Sequence, residues 1–340
     1  MAKAADSDRD WLHLYEAAIR LKEVAPWTWM VETDVFGVQN PETGDLGFVS
    51  VMGMRGEHFA VSLYLGAKGL YGFWDFEEIG EFGPPERLLE IPQLQASFED
   101  RDELQTQDRT VIKNLGLKFR GKKAWPMFRS FRAGFLPWHL EAGEVRFLTY
   151  ALDQLAEVAP RFKENPDLFD SYDAEQYLVR VPKSKDASSW EDRAMTVLLP
   201  EPKPIKLLMD PQLLAHLKQI KLKNSKFEID LCMFPAPMRE KGDRPYFAYI
   251  LLIVDVQSGM ILCHEMFQPL PSLEEMWGKV PLTVAQTLAS ASLVPKEIAV
   301  SSELVFQLLE PLAKSLNIKL KAVPFLPALS QVQEFMFARF

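Results

Sequence analysis

The pattern of apolar and polar residues along the first part of the chain predicts both helices and strands. Apolar residues recur at helical spacing over residues 10–24 and 140–158, which predicts two long helices. Turn-forming residues at 40–45 and 53–56 separate short apolar runs, which predicts a meander of antiparallel strands. Residues 66–80 are predicted as a helix or turn. The pattern therefore indicates an α+β domain that contains an antiparallel meander.

Beyond residue 204 the pattern is more regular. Asp210 before Pro211 is a typical helix start, because the carboxylate caps the helix and proline suits the first helical position. Apolar runs predict antiparallel strands at 227–234, 246–256 and 260–267. The elements predicted next are a helix at 272–292, a strand at 297–300, a helix at 302–316, a strand at 318–323 and a helix from about 326. Pro311 is predicted to kink or split the helix that contains it.

The segment 182–204 is predicted to be a proline-rich linker. Prolines at 182, 200, 202 and 204 surround a polar stretch, although residues 195–199 can form a strand inside it. This places one α+β domain at 1–181 and a second domain at 205–340. The second domain is predicted to hold a mixed sheet with helices.

Composition limits the class of protein. Of 340 residues, 48% are hydrophobic and 25% are charged, which is typical of a globular chain. The longest apolar run covers 246–254, far shorter than the roughly 20 residues of a membrane helix, so no membrane partner is expected. The first residues lack the apolar core of a signal peptide. Cys232 and Cys263 are the only cysteines, which favours a reducing cytoplasm.

Charge is distributed unevenly. Residues 1–202 carry 23 Lys and Arg against 34 Asp and Glu, whereas residues 203–340 carry 15 against 13. An acidic chain disfavours nonspecific binding of nucleic acid, which therefore remains possible but disfavoured as a partner. Residues 109–140 hold eight bases and no acid, interleaved with aromatic residues. The candidate nucleic-acid ligands there are Lys118, Arg120, Lys122, Lys123, Arg129 and Arg132. The favoured alternative is that these bases pair with the acidic segment at 75–108.

Short motifs in the last third of the chain resemble a ribonuclease-H-like core of the integrase and transposase type. The strand at 227–231 carries an aspartate, and 249–259 resembles the second strand and its turn. Residues 297–302 resemble the fourth strand, and the spacing of Pro327 and Glu334 resembles the last motif of that family. Three antiparallel strands followed by helix, strand, helix, strand and helix are also the element order of such a core.

The resemblance implies a site in which carboxylates hold two divalent ions that act on a phosphodiester. It would assign Asp230 as the first carboxylate and Glu334 as the last. Ser301 occupies the expected second acidic position and brings no charge, so Asp255 or Glu303 would have to compensate. Magnesium or manganese is expected only if this site exists, and otherwise no cofactor is expected. The missing acid favours a core that has lost its metal site.

The whole chain also resembles a group of uncharacterised bacterial two-domain proteins. The stretches that carry this likeness are 48–53, 118–126 and the C-terminal motifs. The group has no assigned activity, so the resemblance implies a family without implying a function.

Three functions are compatible with these features. The leading hypothesis is a non-catalytic binding or regulatory protein with an unknown partner. The alternatives are a metal-dependent nuclease or strand-transfer enzyme that uses Asp230, Asp255 and Glu334, and a protein-interaction scaffold. The enzyme requires its carboxylates to lie close together, and the scaffold requires an exposed apolar surface.

Overall fold

The computed structural model describes residues 2–80, 86–169, 175–184, 186–201, 204–239 and 243–337. The chain forms two compact units. The first covers residues up to Ala133 together with Pro137–Glu201, and the second comprises Gly134–Leu136 and the described residues from Pro204 onward. Each unit is built around its own mixed sheet, which confirms the predicted α+β class.

The first unit contains a seven-stranded sheet. Its strands are β1 (Phe36–Gln39), β2 (Leu46–Met52), β3 (Phe59–Leu65), β4 (Gln93–Glu99), β5 (Trp125–Phe131), β6 (Gln176–Pro182) and β7 (Trp190–Thr196). Its helices are α1 (Ala2–Val24), α2 (Gly66–Ile79), α3 (Glu86–Glu90), α4 (Thr106–Asn114) and α5 (Ala142–Glu164), with 3-10 helices at Pro26–Thr28, Arg101–Glu103 and Pro166–Leu168. The strand order is β5-β4-β3-β2-β1-β6-β7. Neighbours are antiparallel except β1 and β6, and the predicted meander is β1 to β3.

Helices cover both faces of this sheet because alternate strand residues point to opposite sides. Phe48 and Val49 are adjacent on β2 and belong to different buried clusters. On one face the apolar sides of α1 and α5 pack against the sheet. On the other, Phe73 of α2 stacks on Tyr64 with ring centroids 4.7 Å apart. The first sheet is therefore the middle layer of its unit.

Strand β7 lies inside 182–204, the segment that the sequence predicts as a linker. It pairs antiparallel with β6 along its full length, from Gln176 opposite Thr196 to Pro182 opposite Trp190. Its sequence contains Glu191, Asp192 and Arg193 and lacks an apolar alternation. A strand at the edge of a sheet needs little apolar surface, which is why the hydrophobic pattern did not mark it.

The second unit contains a five-stranded sheet. Its strands are β8 (Leu222–Met238), β9 (Tyr246–Asp255), β10 (Ile261–Phe267), β11 (Val294–Val300) and β12 (Lys319–Ala322). Its helices are α6 (Pro211–Leu217), α7 (Leu273–Gly278), α8 (Val280–Ser290), α9 (Glu303–Leu316) and α10 (Pro327–Phe337). The strand order is β10-β9-β8-β11-β12, with β8, β9 and β10 antiparallel and β8, β11 and β12 parallel. The element order predicted from the sequence is confirmed.

Two helices of this unit differ from the prediction. The single helix expected at 272–292 is divided into α7 and α8, and Pro281 lies in the first turn of α8, where a missing backbone N–H costs little. Helix α9 runs through Pro311 without being split. The buried apolar side of α9, which includes Leu308, Leu309 and Leu312, stabilises the helix against the lost hydrogen bond. None of the described helices is both long and apolar enough to cross a membrane.

Candidate functional site

Strand β8 brings two acidic residues and a thiol to one face of the second sheet. Glu228, Asp230 and Cys232 alternate along β8, so their side chains share a face. Their partners on β9 are Val254, Leu252 and Ile250, respectively. These three apolar residues belong to the buried cluster that also contains Leu329 of α10. The acidic face of β8 therefore lies beneath α10.

Helix α10 contacts both carboxyl groups directly. The backbone N–H of Leu329, in the first turn of α10, donates to Glu228 Oε2 at 2.9 Å. The side chain of Gln333, one turn later, donates from Nε2 to Asp230 Oδ2 at 3.5 Å. The other oxygen of Asp230 accepts the N–H of Leu231 at 2.9 Å. Glu228 is almost completely buried, and the N-terminus of a helix favours an acidic partner. The two carboxyl groups thus serve as anchors for α10.

Burial raises the pKa of Asp230, and the hydrogen bonds from Leu231 and Gln333 offset only part of this effect. The folded-state pKa therefore lies above the unfolded-state value. Burial of the charged carboxyl group therefore lowers the free energy of unfolding at every pH above the folded-state pKa. This loss disappears below the unfolded-state pKa, where the carboxyl group is protonated in both states.

Replacing Asp230 with asparagine is expected to raise the free energy of unfolding at neutral pH. Asparagine removes the buried charge and keeps an oxygen that can accept the Leu231 N–H. The gain should disappear below about pH 4, near the ordinary pKa of aspartate. Urea unfolding of both proteins at pH 7 and pH 3 measures this. A lower free energy of unfolding at pH 7 would contradict the conclusion that the buried charge of Asp230 destabilises the fold.

Cys232 is the third polar residue on this face of β8. Burial and the neighbouring charge of Asp230 raise the pKa of the Cys232 thiol to about 11, although a hydrogen bond with Gln333 partly opposes them. Its Sγ lies 3.7 Å from the carbonyl oxygen of Ile250. A thiol with this pKa is protonated at neutral pH and is a poor nucleophile. The arrangement therefore gives no support to cysteine-based catalysis.

The predicted catalytic residue Asp255 lies apart from Asp230. Asp255 pairs with Phe227 at the end of β9, whereas Asp230 pairs with Leu252. Because 252 and 255 differ by an odd number of positions on one strand, Asp255 and Asp230 belong to opposite faces of the sheet. Asp255 Oδ1 accepts the backbone N–H of Gln257 at 3.0 Å and shapes the turn to β10.

The other residues predicted for the metal site, Ser301, Glu303 and Glu334, are exposed. Glu334 is exposed on α10, and its neighbour Gln333 is the residue that reaches Asp230. Successive side chains on a helix point about 100° apart, so Glu334 does not point in the direction in which Gln333 reaches Asp230. Ser301 is exposed, and Glu303 is exposed in the first turn of α9, where its Oε1 accepts Gln307 Nε2 at 3.0 Å.

Within the described ranges, no group of three or more His, Cys, Asp and Glu residues is arranged to hold a metal ion. The carboxylate pair of Asp230 and Glu334 stays a prediction from the resemblance. The geometry of α10 and β8 lends that pair no support.

The basic stretch of the first unit divides into buried and exposed residues. Arg129, predicted to contact nucleic acid, is buried and donates to both oxygens of Asp108 at 2.9 and 2.7 Å. His139 Nδ1 lies 3.4 Å from Asp108 Oδ1. Burial opposes ionisation of Asp108, but Arg129 and His139 outweigh it and hold the pKa of Asp108 well below its usual range. Arg129 is therefore a structural residue that a polyanion cannot reach.

Arg132 and Lys123 are also engaged within the unit. Arg132 Nη2 lies 2.6 Å from Glu141 Oε1 and 3.0 Å from Glu144 Oε1. Lys123 Nζ donates to the carbonyl oxygens of Gly56 and Glu57 at 2.7 and 2.5 Å. These contacts satisfy the charge of both residues internally.

The substitution Lys123→Ala is expected to lower the free energy of unfolding by about 1 kcal/mol, because a charged donor to two carbonyl groups is lost. The neighbouring substitution Lys122→Ala is the matched control, since Lys122 is exposed. It should change stability by less than about 0.5 kcal/mol. Chemical denaturation of both variants measures the difference, and equal effects would contradict the structural role of Lys123.

Lys118, Arg120 and Lys122 are the exposed members of the predicted set. Lys118 and Arg120 line an open groove of about 360 Å³ together with Lys22, Phe98 and Phe119. Lys22 Nζ donates to the carbonyl oxygen of Lys123 at 2.7 Å. Binding of nucleic acid by these three residues stays a prediction.

A larger groove lies in the second unit, where the sequence indicates no site. It has a volume of about 670 Å³ and runs between β10 and α8. Residues 260–265 form one wall, and Thr283, Gln286, Thr287 and Ser290 of α8 form the other, together with Ala291 directly after the helix. The residues from α8 recur every three to four positions, so they share one face of that helix. The sequence feature that could have indicated this groove is the periodic polar face of α8, but many solvated helices have such a face.

Comparisons with known proteins agree with this two-unit structure. Neither a curated protein nor a solved structure matches the chain. Two family models do match it, and both are described as domains of unknown function. One, DUF6930, covers residues 213–337, within the second unit. The other, DUF7309, covers residues 11–180, half of the chain. The chain therefore belongs to the DUF7309 family and carries a DUF6930 domain after it, as the predicted two-domain resemblance implied.

Proposed function

We propose that this chain is a non-catalytic binding protein. The observation that carries the proposal is the contact of α10 with the acidic face of β8. Glu228 accepts the Leu329 N–H and Asp230 accepts Gln333. The position at which the ribonuclease-H-like resemblance would bind divalent ions is thus used to attach a helix. Two carboxyl groups that already accept hydrogen bonds from protein N–H groups are poorly placed to bind two cations.

Calorimetric titration with Mn²⁺, combined with cleavage assays on single- and double-stranded DNA and RNA, tests this proposal. We expect no saturable heat from a site containing Asp230 and no cleavage that depends on the metal. Asp230→Asn and Glu334→Gln should behave as the unchanged protein does. Cleavage that requires Mn²⁺ and is abolished by Asp230→Asn would overturn the proposal.

The nuclease or strand-transfer enzyme remains the second candidate, and one observation favours it. A buried carboxyl group with a raised pKa is more frequent at functional sites than elsewhere. For this function α10 would have to leave β8, because the side chain of Gln333 donates a hydrogen bond to the carboxyl group of Asp230, which would have to bind the metal ion. Magnesium or manganese would then be the expected cofactor.

The third candidate, a protein-interaction scaffold, is favoured by exposed apolar residues on and beside β10. Met260, Ile261, Met266 and Leu270 are each at least 40% exposed. These residues lie close together along the chain, and a contiguous exposed apolar surface is typical of protein-binding sites. This candidate is compatible with the leading proposal, since a scaffold is also a non-catalytic binder.

The proposal also includes a cytoplasmic location and no cofactor. Both cysteines are free thiols, which supports a reducing compartment. The net charge of −9 supports a partner other than bulk nucleic acid.

A further inference from the structure

The four sheet edges in the described part of the chain are protected to different degrees. Exposed edge strands tend to pair with other chains, and proteins block them with charges, prolines, short strands or covering segments. Strand β5 carries Pro126, and Trp138 pairs with its Ser130. Strand β7 carries a run of charged residues, Glu191 to Arg193. These devices protect both edges of the first sheet.

The second sheet has one protected edge and one open edge. Strand β12 has only four residues, and two of them are Lys319 and Lys321. Strand β10 at the other edge has seven residues and contains no lysine, arginine or proline. Its neighbour in the sheet is β9, with which it pairs from Ile261 to Phe267. Strand β10 has a register shift between Ile261 and Cys263 and one acid, Glu265, but it lacks the prolines, lysines and runs of charge that block the other three edges.

The open edge borders the groove between β10 and α8. A strand edge lies on one side of this groove and a helix on the other. The groove volume of about 670 Å³ lies within the range typical of ligand sites. We propose that this groove binds an extended peptide segment of another protein, which adds to β10 as a sixth strand. This inference rests on the proposed function, because it names the partner class of a non-catalytic binder.

The walls of the groove define the chemistry of the peptide. Main-chain hydrogen bonds to β10 would supply affinity, and alternate side chains would supply specificity. The α8 wall presents hydroxyl and amide groups from Thr283, Gln286, Thr287 and Ser290. The charged or titratable side chains that line the groove are Cys263, His264 and Glu265. A peptide with small, uncharged polar residues at every second position matches the α8 wall, and Glu265 disfavours an acidic peptide.

A second copy of the chain fits this edge less well. Antiparallel pairing of β10 with its own copy requires a twofold axis normal to the sheet, which places both copies of α8 on the same face. The α8 helix of each copy would then collide with the β10 strand of the other copy. Registers centred at Glu265 would also oppose two like charges. A short peptide that carries no helix of its own avoids both conflicts.

Selection of peptides from a displayed library of random octapeptides tests the inference on the full chain. We expect enrichment of sequences in which small uncharged polar residues alternate with other residues. The best peptide is then synthesised in two forms, each N-methylated at alternate positions. One form should bind about 100-fold more weakly, because three main-chain hydrogen bonds are lost, and the other should keep its affinity.

Two substitutions provide the matched comparison. His264→Lys places a lysine on the open edge and should weaken binding by about tenfold or more. Ala322→Lys places the same side chain on the edge strand β12 and should leave affinity unchanged. Thermal unfolding of both variants checks that the fold is retained.

Three results would overturn the inference: no enriched peptide, equal binding of the two N-methylated forms, or a dimer in solution that His264→Lys dissociates. The last would assign the edge to a second copy. Failure of the inference is separable from failure of the proposed function, because the latter is contradicted by metal-dependent cleavage or by a metal ion at Asp230, and neither result bears on β10.

Discussion

Replacing Arg129 with alanine is expected to lower the free energy of unfolding of the first unit by about 3–5 kcal/mol. Arg129 holds both oxygens of Asp108, and both side chains are less than a tenth exposed. Removal of the guanidinium leaves the Asp108 charge buried, with the backbone N–H of Gln105 and the contact to His139 as its remaining partners. An unpaired buried charge costs far more than the net gain from an intact pair. Urea unfolding at pH 7, followed by circular dichroism, measures the loss.

Arg132→Ala is the matched control for this substitution. Arg132 also pairs with two carboxylates, but its side chain is 42% exposed. Exposed ion pairs contribute about 0–1 kcal/mol, so the control should change little. Comparable losses in both variants would show that burial of the Asp108–Arg129 pair is unimportant.

The Asp108–Arg129 pair also predicts how stability depends on pH. The pKa of Asp108 is lowered in the folded state, so its contribution is complete above the unfolded-state pKa. That contribution is lost as the pH falls from about 4 toward the folded-state value. The difference in stability between the unchanged protein and Arg129→Ala should therefore shrink on acidification.

Replacing Glu228 with alanine is expected to detach α10 from the second sheet and to cost about 2 kcal/mol or more. The carboxyl group of Glu228 is buried and accepts the Leu329 N–H at 2.9 Å. Alanine leaves this N–H without its acceptor and opens a space beneath the first turn of α10. Hydrogen exchange at the amides of α10 should accelerate more than exchange in β8 and β9.

Glu303→Ala provides the comparison for Glu228→Ala. Glu303 lies in the first turn of α9 and is exposed, whereas Glu228 lies on β8 and contacts the first turn of α10 from there. Loss of an exposed acid at a helix N-terminus costs about 0.3–1 kcal/mol. If the two substitutions had equal effects, or if exchange in α10 did not change, Glu228 would not be the anchor of α10.

Strands and helices with a clear apolar period could be predicted from the sequence. The meander of β1 to β3 and the hairpin of β9 and β10 follow from runs of apolar residues separated by turn-forming residues. Strand β7 could not be predicted in the same way. Its pairing with β6 uses backbone groups, which leave no trace in a pattern of side-chain polarity.

The candidate site was harder to predict than the fold. The sequence identifies Asp230 as a candidate residue, but the contacts of Asp230 depend on which side of α10 faces β8. Gln333 rather than Glu334 lies on that side, and a difference of one position decides between an amide and a carboxylate. Motif spacing alone does not fix the rotation of a helix about its axis.

Arg129 shows the same limit within the basic stretch. Its neighbours Phe128 and Ser130 are buried as well, so alternation does not distinguish an outward base from an inward one. The partner that draws Arg129 inward, Asp108, lies 21 residues earlier on α4. Such a pairing between separate elements can be found only once the strands and helices are placed.

A crystal of the full chain grown with manganese, with anomalous scattering used to locate the ion, shows directly whether α10 or a metal ion is bound to the acidic face of β8. We expect that α10 remains on β8, with Gln333 at Asp230 and the Leu329 N–H at Glu228, and that no manganese peak lies beside either carboxyl group. A manganese ion bound by Asp230, with Glu334 or Asp255 as a second ligand, would contradict the non-catalytic function and support a metal-dependent nuclease.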